Sequence, residues 1–225
     1  MPLDAVVFDL DGVLIDSEQA WDMARRQVVA ESGGRWRASA TRAMMGMSSI
    51  EWSRYMHTTL ALRLPVGEIN DRVVARLLAT YAHALPVLPG AVRVVRELAA
   101  HWPLGLASSS NRTVIDAVLR AMHVENSFRA VVSSEELAHG KPAPDVYLAA
   151  AELLRVEPVH AVAIEDSTNG IRAAAAAGMA VVAVPNRHYP PEPDALPLAA
   201  LTLQSLEELT PSVLASAFGD ASGPA

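Results

Sequence analysis

An apolar, β-branched run, Ala5-Val6-Val7-Phe8, opens the chain and stops at Asp9-Leu10-Asp11-Gly12. A run of this kind, ended by polar residues and a glycine, predicts a buried strand that delivers acids to its C-terminal tip. Side chains alternate with period two, so Asp9 and Asp11 are expected on one side and Leu10 in the core. From Ala20 the pattern changes. Ala20, Ala24 and Val28, flanked by Trp21 and Arg25, recur at helical spacing as far as Gly33-Gly34. Three more stretches, Ala40 to Met45, Ile50 to Leu62 and Ile69 to His83, are helical in pattern, and no strand interrupts them before Leu85. Residues 18–85 thus read as a four-helix insertion, small enough to lean on a larger domain.

Beyond the rigid connector Leu85-Pro86-Val87-Leu88-Pro89-Gly90, strands and helices alternate. A helix over Ala91 to Ala100 precedes a strand at Leu104 to Ala107, which runs into Ser108-Ser109-Ser110-Asn111 and a helix over Thr113 to Met122. A strand at Ala130 to Ser133 is followed by Gly140-Lys141-Pro142-Ala143-Pro144 and a helix from Asp145 to Leu154. A strand at Ala161 to Ile164 ends in Glu165-Asp166, and Ser167-Thr168-Asn169-Gly170 turns it into an alanine-rich helix, Ile171 to Ala177, closed by Gly178. Val181 to Val184 is the last clear core strand; Asn186 to Pro197 is a proline-rich loop, Leu201 to Leu203 a short edge strand, and the tail after Phe218 is expected to be disordered. This alternation predicts an α/β fold, a doubly wound parallel sheet with helices on both faces. Residues 1–17 and 86–225 form its core, and 18–85 the inserted helical domain.

Composition narrows the function classes. A chain of 225 residues, 51% hydrophobic and 19% charged, has the make-up of a globular domain with one sizeable core. No apolar run approaches the roughly 20 residues needed to span a bilayer, and no basic segment precedes the first apolar stretch, so the cytoplasm is the default location and no membrane partner is expected. A net charge of −7 argues against general nucleic-acid binding. The absence of cysteine excludes disulfides, thiolate catalysis and cysteine-ligated zinc.

In a parallel sheet every strand tip points to one edge, and ligands bind outside that edge. The polar runs after the strands therefore share a rim: Asp9 and Asp11, Ser108 to Asn111, and Glu165 with Asp166, with Lys141 in the loop after a fourth strand. Carboxylates and hydroxyls, without cysteine or paired histidines, suit a hard cation such as Mg2+ better than zinc, and Mg2+ commonly binds one or two carboxylates plus phosphate oxygens. The lysine supplies a point charge for phosphate. Each residue also has a plainer reading. The serines and Asn111 can cap a helix, Lys141 can be a solvated loop lysine, Glu165 can pair with an arginine, and Asn169-Gly170 can be only a turn. Their coincidence on one edge favours the functional reading.

With these residues in order, the chain resembles the haloacid dehalogenase superfamily of phosphotransferases over nearly its whole length. Phe8-Asp9-Leu10-Asp11-Gly12-Val13 is similar to the family's first motif, Ala107-Ser108 to its second, Lys141-Pro142-Ala143-Pro144-Asp145 to its third, and Glu165-Asp166-Ser167 to its fourth. The helical insertion resembles the four-helix cap of the β-phosphoglucomutase and sugar-phosphate phosphatase group. The resemblance implies that Asp9 is the nucleophile and Asp11 the general acid and base, with Ser108 and Lys141 holding the transferring phosphoryl group. It implies Mg2+ bound by Asp9, the main-chain carbonyl of Asp11 and Asp166, with Glu165 in or just behind that shell. The cap loop Gly46 to Ser49, with Gly46, Ser48 and Ser49, and the second-motif residues Ser109 and Asn111 are the expected substrate contacts.

The partner so implied is a small phosphorylated substrate, and a core carrying its own cap can work as a monomer. Mutases of the group carry a histidine where this chain has Trp21 and a cap-loop arginine where it has Ser49; Asp16-Ser17-Glu18 followed by Trp21-Asp22 is more like the phosphatases. Hydrolysis of a sugar phosphate is therefore the first expectation, β-phosphoglucomutase activity the alternative, and a non-catalytic binding module the third.

Overall fold

A computed structural model describes residues 3–219. Six strands form one parallel sheet in the order β3-β2-β1-β4-β5-β6. They are β1 (Ala5–Phe8), β2 (Leu104–Ser108), β3 (Phe128–Ser133), β4 (Ala161–Glu165), β5 (Ala180–Ala183) and β6 (Leu201–Thr202). From the central β1 the chain winds outward through β2 and β3, then returns to the other side of β1 and winds out through β4 to β6. The order reverses at the β1/β4 pair, which is where a doubly wound sheet opens a crevice.

Alternation along the strands sorts the core into two layers. Val6 and Phe8 pack with Leu104, Leu106, Ile164 and Val182 on one face, beneath α5 (Ala91–Ala99) and α6 (Arg112–Ala121). Ala5 and Val7 face the opposite layer with Ala161, Ala163 and Val181, against α7 (Asp145–Leu154) and α8 (Thr168–Ala176). The second layer is built from small residues, and this lets α8 lie close to the sheet. In α5 the buried Ala91, Val94, Val95 and Leu98 keep helical spacing while Arg93, Arg96 and Glu97 turn outward.

The insertion consists of α1 (Glu18–Glu31), α2 (Ala40–Met44), α3 (Ser49–Thr58) and α4 (Val66–His83), and α4 packs against both α1 and α3. Its apolar stripe, including Val28, Met44, Met56, Ile69, Val73 and Leu77, is continuous with the first core layer through Leu10, Leu14 and Trp21. The third cap helix is shorter than its pattern predicts. It stops at Thr58, and Ala61 then takes a left-handed conformation (φ 58°) while Leu60 and Leu62 stay buried without helical backbone. A ninth helix, α9 (Pro211–Phe218), has no counterpart in the periodicity because only Leu214 is buried along it. Its start is nonetheless written in Thr210-Pro211: the threonine hydroxyl accepts from Val213 N, and proline occupies the first turn, where it has no amide to lose. The expected disordered tail falls mostly on residues 220–225, outside the described residues. Among the described residues no helix is long and apolar enough to cross a membrane.

Candidate active site

Strand register brings the acids together. β1 pairs with β4 as far as Phe8 against Ile164, and Asp9 N donates to Ile164 O at 3.0 Å, so Asp9 emerges beside Glu165 and Asp166. Lys141, from the loop between β3 and α7, reaches into the same space. Its Nζ donates to Asp9 Oδ1 at 2.7 Å and to Glu165 Oε1 at 2.6 Å, and lies 3.3 Å from Tyr147 Oη. All three charged residues are at most 6% exposed. Burial works against the Lys141 ammonium, but Asp9 and Glu165 outweigh it and hold the group above lysine's ordinary value.

Glu165 is fully committed. Oε1 accepts from Lys141 and from Tyr147 Oη at 2.6 Å, while Oε2 accepts from Asp166 N at 3.1 Å and Ser167 Oγ at 3.2 Å. A Cβ at Gly170 would stand 1.9 Å from the Glu165 carboxyl, so a glycine in the first turn of α8 is what lets the helix close on this acid. Glu165 therefore lies behind the cleft, where it fixes Lys141. Tyr147 was not foreseen. It lies in the first turn of α7, and its only sequence signal is a polar tip on an otherwise apolar sheet-facing side.

Asp9 and Asp166 are short of positive charge. Burial pushes the Asp9 carboxyl up to about 8, with Lys141 pulling it down and Glu165 and Asp11 raising it further. Burial, then Glu165 and Asp9, raise Asp166 well above the carboxylate range, and Asn186 Nδ2 at 3.4 Å is a weak partner. Carboxylate oxygens of Asp9, Glu165 and Asp166 lie within 4.8 Å of one another. Gly12 (φ +84°) lets the Asp166 carboxylate pack directly against the backbone, since a Cβ there would stand 1.9 Å from Asp166 Oδ2. Asp9 and Asp166 supply carboxylate oxygens, with Glu165 behind them, and fit a hard divalent cation whose charge would keep the carboxylates ionised.

Asp11 stands on the other side of the cleft floor. Ser110 Oγ donates to its Oδ2 at 2.6 Å and Trp21 Nε1 to its Oδ1 at 3.1 Å, so a core loop and the first cap helix orient it jointly. Above it opens a cleft of about 460 Å³ between the cap and the strand tips, lined among others by Asp9, Asp11, Gly46, Ser109, Lys141 and Asp166. Ser109 Oγ is buried there without a hydrogen-bond partner.

The other expected contacts are placed differently. Ser108 is wholly buried and its Oγ accepts from Ser110 N at 3.0 Å, shaping the loop from beneath. Ser48 caps α3 in a reciprocal pair with Glu51, and Ser49 Oγ donates to Glu135 Oε1 at 3.0 Å. Asn111 Nδ2 donates to the same Glu135 oxygen at 2.7 Å and to Asn70 Oδ1 at 3.0 Å. Ser48, Ser49 and Asn111 thus do not line the cleft. The last two, with Glu135 and Asn70, tie cap helices α3 and α4 to the core. A single glutamate after β3 carries no sequence mark of this role.

Comparison with known proteins agrees with this arrangement. Residues 3–178 match the family model described as haloacid dehalogenase-like hydrolase. Hexitol phosphatase B of Escherichia coli K12 is 35% identical over 224 residues, covering 92% of this chain and 94% of that protein. CbbY from Rhodobacter sphaeroides, solved in complex with xylulose-(1,5)bisphosphate, superposes with a TM-score of 0.81 at 28% identity over 92% of this chain and 96% of that one. A β-phosphoglucomutase from Clostridium difficile shares the fold at a TM-score of 0.83 and 22% identity, covering 96% and 97% of the two chains.

Proposed function

Since the chain belongs to the haloacid dehalogenase-like hydrolase family, we propose that it is a Mg2+-dependent phosphatase of small phosphorylated carbohydrates or polyols, working through an aspartyl-phosphate on Asp9. The observation that carries this reading is the contact of Lys141 Nζ with Asp9 Oδ1 at 2.7 Å beside Asp166, at the floor of a cleft. An anionic nucleophile and an anionic ester meet only where fixed positive charge receives them. The relatives named for their activity on phosphorylated polyols and carbohydrates support the substrate class.

In the first half-reaction an Asp9 carboxylate oxygen attacks phosphorus, the bond from phosphorus to the ester oxygen breaks, and Asp11 gives its proton to the departing alkoxide. In the second, Asp11 takes a proton from water as the water attacks phosphorus, and the bond to Asp9 breaks to release inorganic phosphate. Lys141 and Ser109 receive phosphoryl oxygens; Ser108 supports the loop that presents Ser109. Trp21 and Ser110 keep Asp11 aimed at the leaving oxygen, and the cap limits access of bulk water. Asp9, Asp166 and the main-chain carbonyl of Asp11 would hold Mg2+, with Glu165 behind them. When bound, the ion neutralises charge on nucleophile and phosphate.

Phosphate release from a panel of hexitol, hexose and pentose phosphates tests the proposal. Release is expected with Mg2+, to vanish on chelation and to vanish in Asp9→Asn. Activity that survives chelation or the Asp9 variant overturns the mechanism. Conversion of β-glucose 1-phosphate to glucose 6-phosphate without net release would assign a mutase instead.

A further inference from the structure

The cleft has two ends, and each carries a buried polar atom with no partner. Among the described residues, the buried unsatisfied side-chain atoms that belong to cleft-lining residues are Ser109 Oγ at the core end and Arg25 Nε at the cap end. Ser109 is accounted for by the phosphoryl group. Arg25 is not. It sits one turn after Trp21 on α1 and is 5% exposed.

Two indoles pack against this guanidinium from one side, their own ring centroids 5.8 Å apart. Its Cζ lies 4.9 Å from the Trp21 ring centroid and 5.2 Å from that of Trp52. Cation–π contact of this kind is favourable, more so when desolvated. It offers the N–H groups no acceptor, and the buried Nε finds none elsewhere. No carboxylate lies within 4.0 Å of Arg25 among the described residues. Glu18 is the acid that acts on it most strongly, yet burial raises the Glu18 carboxyl to about 7, which weakens it as a counter-charge. A buried arginine that lines the cleft and has no hydrogen-bond acceptor is arranged for capture of an oxyanion. Burying it unpaired is unfavourable, and a neutral hydroxyl does little to offset that.

The ordering along the cleft says where that oxyanion would be. Trp21 touches Asp11, the proton donor to the leaving group, through its Nε1 and touches Arg25 through its ring. The leaving group therefore passes Trp21 before it reaches Arg25. We propose that Arg25 is a specificity-determining residue that binds an oxyanion on the leaving-group end of the substrate, a carboxylate or a second phosphate, while the ester phosphorus sits on Asp9. This rests on the phosphatase reading above and narrows its substrates to phosphorylated sugar acids or bisphosphates.

Matched phosphate esters of three to six carbons, differing only in whether the distal carbon is a hydroxymethyl, a carboxylate or a phosphoryloxymethyl group, test it by kcat/KM. The wild-type enzyme is expected to favour an anionic member over its polyol counterpart by about 10- to 100-fold, the range of one charged hydrogen-bonded contact. The carboxylate and bisphosphate arms identify which oxyanion it is. Arg25→Met should erase that ratio, chiefly through KM, and Arg25→Lys should restore part of it; a purely structural role would lower all substrates together and leave the ratio unchanged. If Arg25→Met does not fold, the wild-type ratio and Arg25→Lys decide. Equal or better turnover of the polyol esters by the wild type overturns the assignment of Arg25 and leaves the phosphatase intact, whereas hydrolysis of no ester overturns both.

Discussion

Lys141→Met removes the one ammonium from a cluster of buried acids. With a side chain 3% exposed it donates to Asp9 and Glu165, themselves 8% and 0% exposed. Breaking a buried pair from one side leaves a charge uncompensated and costs about 3–5 kcal/mol. For a domain of this size each kcal/mol lowers Tm by about 2–4 °C, so the metal-free variant should melt about 6–20 °C below the wild type. Adding Glu165→Gln should recover more than half of that loss. The amide oxygen can still accept from Asp166 N and Ser167 Oγ, while its NH2 can donate to Tyr147 Oη, which no longer faces a lysine. In a wild-type background the same Gln would set its NH2 against Lys141, so the single Glu165→Gln variant should be destabilised. Calorimetric or fluorescence melts of the three variants with chelator present measure this, and kcat/KM for Lys141→Met should fall by at least about 100-fold. A Tm within 2 °C of wild type, or a double variant less stable than Lys141→Met, would refute the view that the lysine compensates two buried carboxylates.

Three further outcomes follow from the same geometry. Burial raises Glu18 from 4.5 to about 7, so its contribution to stability is complete below about 4 and is lost as pH rises from about 4.5 to 7; Glu18→Gln should match the wild type near pH 3.5 and exceed it near pH 8.5 by up to about 3 kcal/mol, read from urea melts across pH. Gly12→Ala pushes a Cβ toward 1.9 Å from Asp166 Oδ2 at a φ of +84° and should raise the Mg2+ concentration for half-maximal activity at least about tenfold, the equivalent of one displaced ligand contact at 1.4 kcal/mol. Glu135→Ala strips the acceptor shared by Ser49, Asn111 and the amide of Arg112; amide exchange at the start of α3 should quicken by about 1–3 kcal/mol of protection, and an unchanged rate would show that the cap is held by its apolar contacts alone.

The cap and the cleft differ in how far the sequence reveals them. Cap helices α1 to α4 are visible because their apolar residues recur at helical spacing, yet nothing in that spacing says that Trp21 meets Asp11 or that Ser49 turns to Glu135. The cap-loop serines illustrate the gap. A hydroxyl between two helices reads equally as a substrate contact or a cap, and here Glu51 three residues on from Ser48 closes a capping box that withdraws it from the cleft.

Local order along the chain was enough to determine the alternating strands and helices and the delivery of Asp9, Asp11, Lys141 and Asp166 to one rim, because each depends on periodicity over a few residues and on all parallel strands ending at the same edge; the central place of β1 came only with the sheet order. Only the tertiary structure decided that Glu165 stands behind Lys141, that Tyr147 and Gly170 close around it, and that Arg25 packs against two indoles with its Nε left unpaired. Those relations join residues brought together by packing from separate elements. Their energetics come from burial and from which donors find acceptors, quantities that exist only once the layers have closed.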